Sequence, residues 1–429
     1  MTSQSPTSHP PEKRGSVRGF FAKLGPGLIT GAADDDPSGI STYSVAGASI
    51  GFPILWTALF TFPLMAAVQL MCARLGLVTG RGLSAIISSR YPRWVLWPAC
   101  VLLIVANTFN IGADLGGMGD VMHMVTGVPA YVWTPFFAIL IVGILFAGSY
   151  SWIERVFKWL AAALLAYVIT AFLAHPNWRE VLHATYLPHL EWTREYMSVL
   201  VGILGTTISP YLFFWQASEE VEEERAKGRT TLAQRIGATD EELRDATTDS
   251  NIGMFYSQLT MYAILLTTAA TLHAHGIRNI ETAQQAASAL APLAGKGAAW
   301  LFAIALVGTG MLAVPVLAGS CGYAIAEAAN WQEESLDKRP RQAPHFYQVI
   351  GFAVLIGLAL DFLHLNAVKM LFWSAVLNGV LAPPLILVVL MLSRDRTVMG
   401  DRVNSRIANI LGWICAAFMT AAAVAMFVV

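Results

Sequence analysis

The stretch Gly25-Pro-Gly-Leu-Ile-Thr-Gly-Ala-Ala-Asp-Asp-Asp-Pro-Ser-Gly-Ile40 decides the fold of this chain. It opens an apolar segment that runs to about Phe60, yet three carboxylates and a proline fall in its middle. Ionisable residues at membrane depth are costly and mark functional sites. Proline and glycine free backbone carbonyls there, and hydrocarbon tolerates free carbonyls only where they line a cavity. Because carboxylate and carbonyl oxygens are the ligands of hard cations, the stretch predicts a cation site inside a broken membrane span.

The composition indicates a membrane protein. Of the 429 residues, 55% are hydrophobic and 13% are charged, which is typical of a polytopic membrane protein rather than a soluble domain. The net charge of -1 points to no nucleic-acid partner. The four cysteines are scattered through apolar runs without a CxxC pair, so neither a zinc site nor a disulfide framework is expected. No HExxH or Walker A motif occurs, and no GxSxG motif lies in a βαβ context, so we expect neither enzymatic activity nor a prosthetic group.

Apolar segments long enough to span a bilayer, about 20 residues each, recur along the whole chain. Eleven candidates cover residues 25–48, 52–73, 95–122, 131–149, 153–174, 197–218, 251–273, 297–327, 345–363, 367–393 and 406–428. Residues 1–23 lack a signal-peptide pattern and are expected to form a cytoplasmic tail. With the N-terminus inside, 22 of the 27 Lys and Arg residues lie on the cytoplasmic side. We therefore expect a plasma (inner) membrane protein with its C-terminus outside, embedded in the lipid bilayer.

The largest polar segment, residues 219–249, is expected to be a cytoplasmic loop. Five glutamates lie between residues 219 and 224, and they allow two interpretations. They form either a solvated helical connector or an acidic vestibule that concentrates cations at the inner mouth. Near the end of the segment, Thr239 or Asp240 begins a capping-box pattern that predicts a short surface helix.

The sixth span repeats the interruption of the first. Its centre reads Gly205-Thr-Thr-Ile-Ser-Pro210 and combines hydroxyl residues with a helix-breaking proline. Two interrupted spans at matching positions, five apart, are typical of inverted repeats with the substrate site between the unwound helices. The first repeat would cover about 24–174 and the second about 195–393, followed by an extra helix at about 406–428 within a transporter domain at 24–428.

At these residues the chain resembles the Nramp family of divalent-metal transporters, from Leu24 to the end of the tenth span. The resemblance is carried by residues 25–27, 36–39, 72–80, 205–210, 317–319 and 393–400. It implies an all-α polytopic membrane protein with a LeuT-type 5+5 inverted repeat, an extra eleventh helix and broken helices 1 and 6. It also implies divalent-cation transport by alternating access.

The chain departs from the family pattern at the ion ligands. Gly39 stands where the family has an asparagine ligand, Ser209 replaces a methionine, and Tyr211 replaces a histidine. A thioether favours manganese and iron over magnesium, and its loss leaves a wider site of oxygen ligands only. Because magnesium retains several waters when it is bound, this pattern resembles the Nramp-related magnesium transporters. We expect Mg²⁺ or Mn²⁺ as the transported ion.

The residues predicted to bind the metal lie at or beside the two helix breaks. They are Asp36, which matches the family's metal aspartate, the backbone carbonyls of Ala33 and Thr206, and Asp35, Ser209 and Gly39. The alternative for Ser209 is a hydroxyl that satisfies a freed backbone group. Residues expected beside the ion or along its pathway are Asp34, Tyr211, Thr309, Asn378, Asp114 and Asn110. Three adjacent ionised carboxylates would repel one another, so Asp34 and Asp35 either line the pathway or one of them joins the site.

Proton coupling is expected to be weak or absent. The family's proton route uses two histidines in span six, and here Tyr211 and Gln216 occupy those positions. Of its carboxylate pair in span three, only Asp114 remains, since Ile111 replaces the other. The alternatives are a proton-coupled Mn²⁺/Fe²⁺ symporter, a sodium-coupled amino-acid symporter of the same fold, and a non-transporting metal sensor. The sequence leaves the oligomeric state open and is compatible with a monomer.

Overall fold

The computed structural model describes residues 26–147, 164–331, 334–362 and 366–429, and these ranges contain helices but no β-strand. The expected cytoplasmic tail and the beginning of the fifth span, residues 153–163, lie outside the described residues. In chain order the α-helices are α1 (Pro26–Asp34), α2 (Pro37–Ile50), α3 (Trp56–Thr79), α4 (Leu83–Arg90), α5 (Arg93–Thr126), α6 (Ala130–Phe146), α7 (Leu165–Leu173), α8 (Trp178–Tyr186), α9 (Arg194–Thr207), α10 (Pro210–Ala226), α11 (Leu232–Arg235), α12 (Asp240–Thr271), α13 (Ala283–Ser288), α14 (Ala291–Ala294), α15 (Ala298–Ala328), α16 (Pro344–Asp361), α17 (Ala367–Arg394), α18 (Arg396–Met399) and α19 (Arg406–Val428). Short 3-10 helices lie at Phe52–Ile54, His273–His275 and Gly295–Gly297.

Seven helical segments of the described chain are long and apolar enough to cross a membrane. They are Phe52–Thr79, Arg93–Thr126, Arg194–Ala226, Ala291–Ala328, Pro344–Asp361, Ala367–Arg394 and Arg406–Val428. The other expected spans are the broken first span, the shorter apolar helix α6, the partly described fifth span, and α12, whose beginning is polar. The chain is an integral multi-pass membrane protein.

The first and sixth expected spans are each broken into two helices. α1 ends at Asp34 and α2 begins at Pro37, while α9 ends at Thr207 and α10 begins at Pro210. Proline has no amide hydrogen and a fixed φ, so it fits the first position of a helix, where its missing hydrogen bond costs nothing. Each proline therefore begins the second half of its span, and the prediction of two broken helices is confirmed.

Close helix packing surrounds both breaks. α1 and α2 pack against α12, and α9 packs against α17. A Cβ atom at Gly31 would overlap the Gly253 carbonyl of α12, and one at Gly205 would overlap the Ala375 carbonyl of α17. Glycine lets helix backbones approach this closely in a membrane, so these positions hold the halves of the two broken spans against the rest of the bundle.

The segment expected as a loop, residues 219–249, is largely helical. α10 continues to Ala226 and α12 begins at Asp240, so only residues 227–239 separate them. Thr239 caps α12 in the predicted capping box, in which its hydroxyl accepts from the Glu242 amide and the Glu242 carboxylate accepts from the Thr239 amide. The capping box is confirmed, but the prediction of a short surface helix is wrong. The helix that the box opens runs for 32 residues to Thr271, because its later turns pack against α1, α2 and α3.

Candidate cation site

Asp36 lies at the break of the first span and caps α2. Its Oδ1 accepts the Gly39 amide at 2.7 Å and the Ser38 hydroxyl at 2.6 Å. Its Oδ2 accepts Nδ2 of Asn110, on α5, at 2.8 Å. Aspartate is favoured at a helix N-cap because its carboxylate satisfies amides that have no partner within the helix. The local sequence therefore fixes the orientation of this buried carboxylate. Gly39 was predicted to lie at the metal, and in the structure its backbone amide donates to Asp36.

The two backbone carbonyls predicted as ligands are both hydrogen-bonded by hydroxyls of the sixth span. The Tyr211 hydroxyl donates to the Ala33 carbonyl at 2.9 Å. The Ser209 hydroxyl lies 2.7 Å from the carbonyls of both Gly205 and Thr206. Ser209 thus satisfies freed backbone groups, which is the alternative considered for it. Each carbonyl oxygen retains a second lone pair for another donor or a cation.

Asp34 and Asp35 point away from Asp36, toward α12. The Ser257 hydroxyl lies 2.5 Å from Asp34 Oδ2 and 3.3 Å from Asp35 Oδ1. The remaining oxygens, Asp34 Oδ1 and Asp35 Oδ2, have no hydrogen-bond partner in the part of the chain that the structure describes. The three consecutive carboxylates are therefore divided, with Asp36 held by α5 and the other two facing α12. Asp34 and Asp35 remain close to each other, because both contact the same Ser257 hydroxyl.

The predicted residues of span three are buried beside the break, as their spacing indicates. Asn110 and Asp114 are fully buried on α5, four residues apart. Neither carboxylate oxygen of Asp114 meets a hydrogen-bond partner within the described ranges, while the Ser38 backbone and the Asp36 carboxylate lie within electrostatic range. Asn110 Oδ1 also lacks a partner among these residues. The face of α5 next to Asp36 therefore presents oxygen atoms that no protein donor satisfies.

Two predicted residues come from more distant spans. Asn378, on α17, is buried, and its Oδ1 has no hydrogen-bond partner among the described residues. Thr309, on α15, is also buried, but its hydroxyl donates to the Leu306 carbonyl of its own helix at 3.2 Å. The structure thus leaves Asn378 with a free oxygen, whereas the Thr309 hydroxyl is engaged with its own backbone.

Among the described residues, only neutral groups contact the carboxylates at the helix break. Asp34, Asp35, Asp36 and Asp114 are at most 2% exposed, and no Lys, Arg or His of the described residues acts on any of them. Isolated buried carboxylates are costly, and a bound dication would offset that cost. Within the described ranges no three His, Cys, Asp or Glu side chains are grouped to enclose a metal. A site here would draw on the Asp36 carboxylate and on neutral oxygens such as Asn110 Oδ1.

Sequence reasoning missed Tyr43, which connects the two breaks. The Thr206 hydroxyl donates to the Tyr43 hydroxyl at 2.9 Å, so α9 is joined to α2 directly beside the candidate site. Tyr43 is fully buried and follows Asp36 by seven residues, about two helical turns. That spacing places both residues on one face of the first span and could have identified Tyr43.

A second group of buried polar residues lies near α1, and of its members sequence reasoning did not single out Thr30 and Gln69. Oε1 of Gln216 accepts the Thr30 hydroxyl at 2.6 Å and Nε2 of Gln69 at 3.2 Å. Nε2 of Gln216 donates to Glu220 at 2.8 Å, which is only 3% exposed. Glu220 is therefore neither solvated nor open to a vestibule, and the interpretation of a solvated connector fails for it. These bonds hold α1 against α10.

The candidate site is closed to solvent. A cavity of about 570 Å³ lies between the end of α2, the beginning of α9 and the beginning of α17, and it reaches Val45 and Val199. Val45 lies nine residues beyond Asp36 on α2, about 13 Å along the helix axis. Asp36 itself is 2% exposed. The cavity approaches the break along the second half of the first span without reaching it, while α1 is packed tightly on the other side.

Comparison with known proteins identifies the family. The profile described as "Natural resistance-associated macrophage protein-like", the Nramp profile, matches residues 27–429 and includes both helix breaks. The chain belongs to the Nramp family.

Nramp-family relatives and fold neighbours match nearly the whole chain. A protein of Mesorhizobium japonicum named divalent metal cation transporter MntH is 27% identical, over 94% of this chain and 87% of its own length. The crystal structure of the Eremococcus coleocola manganese transporter, in complex with an aromatic bis-isothiourea substituted compound, has a TM-score of 0.76 at 18% identity. That match covers 97% of this chain and 88% of the other. These relatives are transporters, and the expectation that the chain is not an enzyme is confirmed.

The fold extends beyond Nramp proteins. Mhp1, a nucleobase-cation-symport-1 family transporter, matches with a TM-score of 0.56 at 14% identity, over 93% of this chain and 92% of that chain. A likeness at this level concerns the fold alone. It confirms the LeuT-type arrangement that the two interrupted spans predicted.

Proposed function

We propose that this Nramp-family chain takes up divalent metal cations by alternating access, with Mg²⁺ and Mn²⁺ as substrates and weak or no proton coupling. The observation that carries this proposal is the surroundings of Asp36. The groups that contact its carboxylate are the Gly39 amide, the Ser38 hydroxyl and the Asn110 amide, and none contains sulfur or imidazole. Unsatisfied oxygens of Asn110 and Asp114 lie on the adjoining face of α5.

Divalent-metal transport is the broader part of the proposal. It is supported by the family membership and by the names of the relatives, a divalent metal cation transporter and a manganese transporter. Magnesium is the narrower part, and it rests on residues of this chain. Ser209 supplies a hydroxyl where the family has a thioether, and Gly39 supplies no side chain. Oxygen ligands with room for water suit an ion that dehydrates reluctantly.

The proposed absence of strong proton coupling rests on Tyr211 and Gln216, which stand where the family has histidines. Tyr211 donates to the Ala33 carbonyl, and Gln216 bonds Thr30, Gln69 and Glu220. Neither side chain exchanges a proton near neutral pH. Uptake would then follow the electrochemical gradient. A membrane potential supplies about 2.3 kcal/mol per charge for each 100 mV, and twice that for a dication.

The proposed orientation places the N-terminus in the cytoplasm and the C-terminus outside a plasma (inner) membrane. It is supported by the distribution of Lys and Arg, of which 22 of 27 fall on the cytoplasmic side in this arrangement. The 570 Å³ cavity then opens to the outside, and α1 seals the cytoplasmic side. Segment 219–249 would lie in or at the cytoplasm. In this arrangement the outer cavity ends before Asp36, which is 2% exposed, so the ion would reach the site only after the second half of the first span moves.

Metal influx into proteoliposomes tests the proposal, with magnesium and manganese compared and a pH-sensitive dye read in parallel. Asp36→Asn keeps an N-cap acceptor but removes the charge, and we expect it to abolish entry of both ions. Asp120→Asn makes the same change further along α5 and serves as the matched control. Manganese entry with internal acidification and no magnesium entry would instead favour the proton-coupled symporter. Binding without any flux would favour a sensor.

A further inference from the structure

Both carbonyls expected to bind the ion are covered by hydroxyls from one short segment. Ser209 and Tyr211 flank Pro210, which begins α10. Ser209 bonds the Thr206 carbonyl in its own span at 2.7 Å, and Tyr211 bonds the Ala33 carbonyl across the bundle at 2.9 Å. The Ser209 hydroxyl is also 2.7 Å from the Gly205 carbonyl, so its single hydrogen is shared between the two carbonyls. Both side chains are at most 2% exposed, so water does not compete for these hydroxyls in this state.

A carbonyl that accepts a buried hydroxyl proton is a poorer cation ligand than a free one. One of its lone pairs is occupied, and the donor hydrogen carries positive charge that faces any cation placed beside the oxygen. Direct coordination by the Ala33 carbonyl on that side would leave the Tyr211 hydroxyl buried without an acceptor, which is costly. An ion bound at Asp36 would therefore keep the water molecules that the carbonyls would otherwise replace.

We propose that Tyr211 and Ser209 set the ion selectivity of this transporter by keeping the Ala33 and Thr206 carbonyls hydrogen-bonded, so that the ion binds with part of its water shell. The inference rests on the proposed function, in that the ion is a divalent cation bound at Asp36. Both residues are positioning residues, since they act through the carbonyls. Magnesium, which dehydrates reluctantly, gains from this arrangement relative to manganese.

The alternative is that the two hydroxyls only stabilise the helix breaks. Loss of either hydroxyl would then slow the transport of both ions equally, because the folded state would be less populated. A change in the ratio of the two ions distinguishes the proposed role from that structural one. The chain offers matched controls. The Tyr262 hydroxyl bonds Thr185 at 2.8 Å, and the Ser393 hydroxyl bonds the Val389 carbonyl of its own helix at 2.7 Å, both away from the breaks.

The first test compares kcat/KM for manganese and magnesium influx in Tyr211→Phe, Ser209→Ala and the wild type. Freed carbonyls should favour the ion that sheds water more easily. We expect the manganese-to-magnesium ratio to rise about two- to tenfold in each variant, the range that corresponds to one net hydrogen bond. Tyr262→Phe and Ser393→Ala should leave the ratio unchanged. An unchanged ratio in both test variants would overturn the proposal.

The second test counts the waters on bound Mn²⁺ from the hyperfine coupling of ¹⁷O-labelled water in electron paramagnetic resonance. We expect one water fewer in Tyr211→Phe and in Ser209→Ala than in the wild type. An equal number of waters, or no Mn²⁺ binding in either folded variant, would contradict the proposal. This readout does not require magnesium transport. If the wild type carries only manganese, the proposed magnesium function fails while the water count still decides the role of the two hydroxyls.

Discussion

The Thr30 hydroxyl of α1 lies 2.6 Å from Oε1 of Gln216 on α10, and this contact joins the first half of one broken helix to the second half of the other. The same Oε1 also accepts Nε2 of Gln69, on α3, while Nε2 of Gln216 donates to Glu220 within α10, so Gln216 connects three helices. Alternating access requires α1 or α10 to move relative to the bundle. Movement of α1 away from α10 would break the bond between Thr30 and Gln216, whereas the bond between Gln216 and Glu220 lies within α10 and would remain.

Thr30→Val keeps the shape of the side chain and removes only the hydroxyl. We expect α1 to open more readily by roughly 1 kcal/mol, the net value of one hydrogen bond. Backbone amides of α1 should then exchange with solvent about fivefold faster, as hydrogen exchange by mass spectrometry would show. Thr170→Val is the control, because its hydroxyl bonds only the Ala166 carbonyl of its own helix. Equal protection of α1 in both variants would contradict the role of this contact.

The contact between Asn110 and Asp36 leads to a prediction about affinity. Asn110→Ala removes the donor on Asp36 Oδ2, a bond to a charged group worth about 1.5–3 kcal/mol. We expect kcat/KM to fall at least tenfold for both Mg²⁺ and Mn²⁺ with their ratio unchanged, because the carboxylate loses its orientation but the ligand type stays the same. Asn107→Ala, one turn earlier, removes a 2.9 Å bond to the Leu317 carbonyl and is the control. Similar kinetic losses in the two variants would show that Asn110 acts only in packing.

A thioether near the break allows a sharp test of oxygen-only coordination. Met118, on α5, lies next to Gly310 of α15, where Pro37 also packs. Its sulfur is a soft ligand that would favour manganese if it reached the ion. We expect Met118→Leu to leave the relative uptake of manganese and magnesium unchanged, with Met311→Leu as a neighbouring control. A selective loss of manganese uptake in Met118→Leu would show that the Met118 thioether, on α5, takes the role of the methionine that the family has in span six.

The breaks could be predicted because Pro37, Pro210 and the carboxylates stand in apolar runs, where they have few structural explanations. The different partners of these carboxylates could not be predicted. Asp34 and Asp35 face α12 whereas Asp36 contacts α5, and helical periodicity, which would relate neighbouring side chains, ends at the break. Ser257 gives no local signal at all, because it meets Asp34 only through the packing of α12. Tyr43 was predictable from its seven-residue spacing to Asp36.

For Glu220 the sequence pattern suggests the wrong environment. A run of glutamates suggests a solvated surface, and the burial of Glu220 becomes visible only when its bond to Gln216, four residues earlier, is known. The hydrogen bonds of Ser209 and Tyr211 to carbonyls likewise depend on the positions of the two helix breaks relative to each other. Residue types therefore predict a candidate site at the two helix breaks, while the partners of each oxygen required the three-dimensional structure.

Arg229 connects α10 to α12 across the connecting segment and should control stability at acidic pH. It pairs with Glu224, which is 1% exposed, and lies 2.5 Å from Glu242. Burial raises the pKa of Glu242, but hydrogen bonds from Thr239 and Arg229 outweigh it and hold the pKa below its ordinary value. A lowered folded-state pKa stabilises the fold above the unfolded-state value, about 4.3, and the contribution is lost as the pH falls through the folded-state pKa.

We expect Arg229→Gln to lower the melting temperature at pH 7 and to move acid unfolding to higher pH. Arg244→Gln, whose side chain bonds only the Asp240 carbonyl, should change neither, and equal behaviour of the two variants would exclude this role for Arg229.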